Sequence, residues 1–225
     1  MPKVVDHDER RREVAQVVLR CIARDGVDGA TLRSVARESG WSTGVLHHYF
    51  RDKDELVAAA LQLLHERSAQ RYQQSLEAPT GREALRRLLL DQMPMSEEQV
   101  EEWAAWVQFW GYAASHPALA AEISRAWGEW RKSLEHLIQK GQADGSIDAD
   151  LDAAEEAAGI AAMIDGVGVR ALYAGFSTGH KKASPQWLGD HMTHLIMGRL
   201  TPQPGGTPEP SVAGRKRRWA RPIAD

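Results

Sequence analysis

The run Thr31-Leu32-Arg33-Ser34-Val35-Ala36-Arg37-Glu38-Ser39-Gly40-Trp41-Ser42-Thr43-Gly44-Val45-Leu46-His47-His48-Tyr49-Phe50-Arg51-Asp52-Lys53-Asp54-Glu55-Leu56 divides into short helical pieces with a tight turn between them. Thr31 stands where a helix N-cap belongs, and Leu32, Val35 and Ala36 form the inward face of a two-turn helix. Gly40 closes that helix, leaving only Trp41 before Ser42 caps the next one. Two short helices joined by a glycine turn are the signature of a helix-turn-helix, and the small Ala36 lets them cross closely. In the second of these helices, 42–49, Val45, Leu46 and Tyr49 can point inward. Thr43, Gly44, His47 and His48 are left on an outer face suited to close approach to a groove floor. Asp52 and Glu55 form an acidic capping box for the next helix, and Lys53 in its first turn, beside free backbone N–H groups, is placed to hold a phosphate.

Outward from this run the helical period continues. Upstream, Val14, Val17, Val18, Cys21 and Ile22 make an i, i+3, i+4, i+7, i+8 stripe, with Arg10, Arg11, Arg12 and Arg24 on the other face and Gly26 able to end the helix. Downstream, Pro79-Thr80-Gly81, Pro94, His116-Pro117, Gly141…Gly145 and Ser184-Pro185 punctuate the chain, and no alternating strand pattern is sustained. The expected fold is all-α, with about nine helices near 8–25, 31–39, 42–49, 53–77, 81–92, 97–115, 117–141, 150–176 and 185–200. Residues 1–56 read as a three-helix helix-turn-helix domain and 57–200 as a larger helical ligand-binding and dimerisation domain. The Pro- and Gly-rich stretch that opens 201–225 gives a disordered basic tail by composition.

Of 225 residues, 43% are hydrophobic, enough for a core, and one cysteine excludes an internal disulfide framework and suggests a reducing cytoplasm. No run is long and apolar enough for a membrane span, and the N-terminal residues lack a signal peptide's apolar stretch, so the expectation is a cytoplasmic protein with no membrane partner. The net charge of −3 is unevenly spread: residues 1–56 are neutral, 57–200 carry −6 and 201–225 carry +3. A local basic face in the neutral segment suffices for DNA, since phosphate contacts are local and a dimer doubles them. There is no His-Glu-x-x-His, no nucleophile–base arrangement and no phosphate-cradling glycine loop, so no catalytic residue, metal or cofactor is expected and the chain does not read as an enzyme.

The spacing of Thr31, the Val35-Ala36 pair, Gly40, Ser42-x-Gly44, Leu46, the His47-His48-Tyr49 run, Phe50 and Lys53 resembles the N-terminal domain of the tetracycline-repressor (TetR) family over residues 8–56. The family usually carries Tyr where this chain has His47. The resemblance implies a transcriptional regulator, usually a repressor, that binds palindromic double-stranded operator DNA as a homodimer and is released by a small-molecule inducer. It implies DNA contacts from Thr31, Arg33, Trp41, Ser42, Thr43, His47, Tyr49 and Lys53, with Thr31 and Lys53 on phosphates, Trp41 against the backbone, and Arg33, Thr43 and His47 reaching base edges. Trp41 and Tyr49 are also large enough to be core. The competing reading is a helical protein-interaction module without specific DNA binding.

Further along, Trp103, Trp106, Phe109, Trp110, the His116-Pro117 break, Trp127, Trp130 and then Ile164-Asp165-Gly166 and Arg170 resemble the subgroup containing the choline-sensing betaine-pathway repressor. That similarity implies architecture and leaves the ligand open. Trp103, Trp106 and Trp110 share a helix face, which either fills the core or walls a cavity. In the cavity reading Met93, Met163, Phe109 and Trp127 complete the walls, and Glu101, Glu102 and Asp165 suit an aromatic-acidic box for an apolar or cationic effector. Helix 150–176 is apolar over most of its girth. With 185–200 it is expected to form the dimer interface through Ile160, Ile164, Gly168, Ala171, Leu172, Trp187, His191 and Leu195, unless these residues close the subunit's own core.

Overall fold

The structure, a computed structural model, describes residues 7–174 and 184–202. Those residues form nine α-helices and no strand: α1 His7–Gly29, α2 Leu32–Ser39, α3 Thr43–His47, α4 Lys53–Ser75, α5 Gly81–Gln92, α6 Glu97–Ala113, α7 Pro117–Ala143, α8 Ala153–Ala174 and α9 Pro185–Arg199. The end of the helix expected over 150–176 and the basic tail beyond residue 202 lie outside the described residues.

Side-chain caps set where the short helices α2 and α3 begin, in the head that they form with α1 and the first half of α4. Thr31 accepts from the Ser34 N–H and Ser34 accepts in return from the Thr31 N–H, so α2 opens on a capping box. Gly40 adopts φ 73°, a left-handed conformation that lets the chain turn into α3 within two residues. Ser42 caps α3 through the Val45 N–H. Gly26, at φ 78° and ψ 170°, breaks the helical path of α1 and sends residues 27–29 across to α2.

Two cores hold the molecule. One joins α1, α2, α3 and α4 to α6 through Val18, Ile22, Val35, Leu46, Phe50, Leu61 and Phe109, all at most 1% exposed. The other joins α5, α7, α8 and α9 through Leu85, Leu88, Leu134, Ile138, Ile160 and Ile164. Trp106 and Trp110 of α6 pack against both, so α6 is the seam between head and body. α4 crosses the same boundary, since it starts beside α3 and its buried Leu61 and Leu64 lie in the head core. Two charge clusters pin the layers. Glu102 accepts from Arg67 at 2.6 Å and Arg71 at 2.8 Å, tying α6 to α4, and Glu156 takes a bidentate grip from Arg199, tying α8 to α9.

Within the body, α8 turns its Ile160, Ile164, Gly168 and Ala171 stripe into the subunit's own core. Gly168 is required there: a Cβ at this position would lie 2.1 Å from the Trp103 ring. Four residues expected in a dimer interface are thus internal. An almost uniformly apolar helix gives no periodic signal to say which stripe faces inward. Leu172 is half-buried, while Trp187, His191 and Leu195 on α9 are exposed, with the Trp187 and His191 rings stacked at 4.7 Å.

Candidate nucleic-acid interface and effector cavity

The outer surface of the head collects Thr31, Arg33, Ser42, Thr43, Gly44, His47 and His48, all exposed. Leu46, fully buried, fixes the inner side of α3 and so aims Gly44 and His48 outward, with Val45 and His47 flanking them. Val45 is 42% exposed rather than inward-facing. Phe50, just past the end of α3, occupies the core position that Val45 was expected to share. Trp41 and Tyr49 are half-buried, 5.7 Å apart between ring centres, with the Tyr49 ring against His7 and its carbonyl accepting from Arg11. They brace α3 against α1.

At the start of α4, Asp52 accepts from the Glu55 N–H, while Glu55 reaches back to the Arg51 N–H and guanidinium. The expected reciprocal box is therefore displaced by one residue, because the Arg51 side chain draws the carboxylate past Asp52. Lys53 is half-buried, its ammonium donating to Asp28 at 2.7 Å and lying 5.6 Å from the centre of the Tyr112 ring.

Between α4, α6, α7 and α8 lies a cavity of about 70 Å³. Trp103, Trp106, Trp110, Trp127 and Trp130 supply most of its wall, with Ile123, Ala126 and Ile164. Its polar groups are His65, Ser68, Gln92 and Asp165. Ring centres lie 6.0 Å apart for Trp103 and Trp110, 5.6 Å for Trp110 and Trp127, and 5.4 Å for His65 and Trp106. The Trp103 N–H donates to the Gln92 carbonyl at 2.9 Å, whereas the Trp110 N–H and His65 Nε2 are buried without a hydrogen-bond partner. Burial pushes the Asp165 carboxyl up to about 6 and holds the His65 imidazole below its ordinary value.

Phe109 does not line the cavity, because it points into the head core about 100° around α6 from Trp110. Met93 is fully buried against α9 beside Gly189, and Met163 packs on the body core. Glu102 is consumed by Arg67 and Arg71, and Glu101 faces the α1 side with Arg20, so of the three carboxylates only Asp165 reaches the aromatic wall. His65 was not anticipated, although a lone histidine after the apolar Leu63-Leu64 of α4 was a visible signal. Trp130, three residues from Trp127, was visible in the same way.

Residues 17–67 match the family model described as bacterial regulatory proteins of the tetR family, and residues 81–196 match the BetI-type transcriptional repressor C-terminal model. This chain belongs to the TetR family. It is similar to the HTH-type transcriptional regulator PksA of Bacillus subtilis, at 30% identity covering 76% of this chain and 83% of the relative. To the HTH-type transcriptional regulator BetI of Escherichia coli it is 32% identical, covering 78% and 88%. Among solved structures, a transcriptional regulator from Saccharomonospora viridis in complex with choline superposes with a TM-score of 0.75 at 27% identity, covering 87% of this chain and all of that one. As a TetR-family member the chain is a ligand-responsive transcriptional regulator and not an enzyme. TetR regulators bind operator DNA, typically as dimers. No helix among the described residues is long and apolar enough to cross a membrane.

Proposed function

We propose that this regulator is a homodimeric repressor released from its operator by a small organic cation that also carries a hydrogen-bonding oxygen. The observation that carries the effector class is the Asp165 carboxylate, half-buried against a wall of five indoles with no ion-pair partner among the described residues. Indole faces attract cations, and a desolvated carboxylate binds one more strongly still. The unpartnered Trp110 N–H asks for an acceptor on the same ligand. The volume, well below the roughly 300–1,000 Å³ of drug-sized sites, favours a small occupant. The choline in the Saccharomonospora viridis relative has this chemistry. Titrating tryptophan fluorescence with small quaternary ammonium compounds, led by choline, tests the reading. The neutral isostere with carbon in place of nitrogen is expected to bind at least about tenfold more weakly. Equal responses to both would remove the cation from the account.

His65 and Ser68 of the cavity and Lys53 of the head lie on one helix, α4. A ligand that presses on the cavity end displaces the phosphate-gripping end, and with it the separation of two recognition helices that must meet grooves about 34–36 Å apart. The second subunit packs on the outward faces of α8 and α9, where Ala158, Gly159, Ala162 and Gly166 permit close approach and Trp187, His191 and Leu195 are exposed. Thr31 and Lys53 hold phosphates, Arg33, Thr43 and His47 address base edges, and Ser42, Trp41 and Tyr49 set the angle of α3.

Val45 adds an apolar group to that face, and the apolar mark in a major groove is the thymine methyl. Replacing thymine by uracil at the contacted operator position is expected to weaken wild-type binding by roughly three- to tenfold and to leave Val45→Ala unaffected. Uracil substitution that is silent at every position would exclude the contact.

A further inference from the structure

Lys53 is not simply waiting for a phosphate. Its ammonium is engaged on two sides, by the Asp28 carboxylate at 2.7 Å and by the Tyr112 ring at 5.6 Å. Asp28 sits in the short segment after the Gly26 break, and its side chain is 86% exposed, so among the described residues Lys53 is its one close partner, with His116 acting on it from farther off. Tyr112 belongs to the last turn of α6, two residues beyond the cavity's Trp110. The Tyr112 ring is itself stacked on His116 at 3.7 Å and 11°, and the His116 Nδ1 meets the Tyr112 carbonyl at 2.7 Å. The helix that walls the effector cavity therefore ends in a rigid aromatic seat beneath the phosphate-binding lysine.

We infer that Asp28 and Tyr112 are positioning residues that hold Lys53 in a withdrawn seat, and that operator binding exchanges the Asp28 carboxylate for a DNA phosphate. The inference rests on the DNA-binding reading of Lys53 and deepens it by naming what regulates that contact. Two physical points support the exchange. An exposed carboxylate and a phosphate oxygen are equivalent partners for a lysine ammonium, so the swap keeps the ion pair and changes only the anion. Once displaced, Asp28 is left as a negative charge beside the DNA backbone, which opposes binding. Because the ring belongs to α6, a movement of that helix shifts the balance between the two partners of Lys53. Asp28 thus lowers affinity at rest so that a small displacement of α6 can alter it.

The test is operator affinity, measured by fluorescence anisotropy at several salt concentrations, for Asp28→Asn, Lys53→Ala and the double variant. Asp28→Asn is expected to tighten binding by roughly two- to fivefold on any duplex sequence, since a phosphate contact carries no sequence information. Lys53→Ala is expected to weaken binding and lower the salt slope by about 1. In the Lys53→Ala background the Asn substitution should give a clearly smaller gain, because only the repulsion between the Asp28 charge and the DNA backbone is then relieved. Tyr112→Leu should tighten binding in the same direction, and only while Lys53 is present, whereas Tyr112→Phe keeps the ring and should behave as wild type. Unchanged or weaker binding by Asp28→Asn, or a gain that is as large without Lys53 as with it, overturns the inference. Lys53→Ala binding as well as wild type would instead overturn the phosphate role of Lys53.

Discussion

Asp165→Asn is expected to give a protein that is more stable at neutral pH and insensitive to its effector. The folded Asp165 carboxyl lies at about 6 because burial disfavours its charge, against an ordinary 3.8. The folded state therefore holds this proton more tightly than the unfolded chain. Stability from this group is complete below about pH 4, is lost as pH rises toward 6, and stays lost above it. The difference is worth at most about 3 kcal/mol at 1.36 kcal/mol per pH unit, less in practice because solvent reaches the half-buried side chain and screens it, and the amide of the variant returns part of it. A rise in Tm of roughly 3–6 °C at pH 7 to 8, about half of it left near pH 5 and none below about pH 4, is the expected thermal signature. Cation affinity runs the other way: it is full above about pH 6 and falls about tenfold per unit below. His65, the other titratable group on the wall, gains positive charge in the same acidic direction and adds to the fall. Parallel melts of wild type and Asp165→Asn across this range, with tryptophan titrations at each pH, separate the two effects. A variant that melts lower at every pH would mean that the carboxylate is already compensated.

The second large effect is expected at Glu102. This carboxylate, 8% exposed, is the common partner of Arg67 and Arg71, and the Arg71 Nε is already buried without an acceptor. Removing it leaves two partly buried guanidiniums, one turn apart on α4, without their shared counter-charge where α4 meets α6. Fully buried pairs cost about 3–5 kcal/mol to break, and these arginines keep some solvent contact, so Glu102→Ala is expected to cost about 2–3 kcal/mol. In a chain of this size that lowers Tm by roughly 5–10 °C. Glu98, which approaches Arg67 only at 3.8 Å from an exposed position, serves as the control, since Glu98→Ala should change Tm by about 1 °C at most. If Glu102→Ala melted like Glu98→Ala, the joint between head and body would have to lie elsewhere, in the Phe109 packing alone.

The head was readable from the sequence because its determinants are local. Thr31, Gly40, Ser42 and Asp52 act within four residues of themselves, through caps and one left-handed glycine, and the structure carries each of these where the chain implied it. What escaped were choices that depend on a partner far along the chain. Val45 reads as inward-facing but is exposed, while Phe50, beyond the end of α3, packs into the core shared with α1 and α4. Lys53 reads as a phosphate ligand, but its engagement by Asp28 and Tyr112 arises from residues 25 before it and 59 beyond it. In the body the aromatic stripe of α6 was visible, yet which carboxylate meets it was not. Glu101, Glu102 and Asp165 look alike in sequence, and the two arginines on α4 capture one of them. On α8 both faces are apolar, so periodicity carried no information about which one turns inward toward Trp103.

The account stands on one coupling: occupation of the tryptophan cavity weakens the grip of the head on DNA. It is tested most directly by selecting an operator from a random duplex pool, labelling it, and following anisotropy while choline is added to the preformed complex. Wild type should release the duplex with an affinity loss within the 5–150-fold range of ordinary allosteric coupling, and Asp165→Asn should hold on at the same concentrations. A duplex that stays bound while tryptophan fluorescence reports a filled cavity would contradict the coupling, and release that is equal in both proteins would contradict the site.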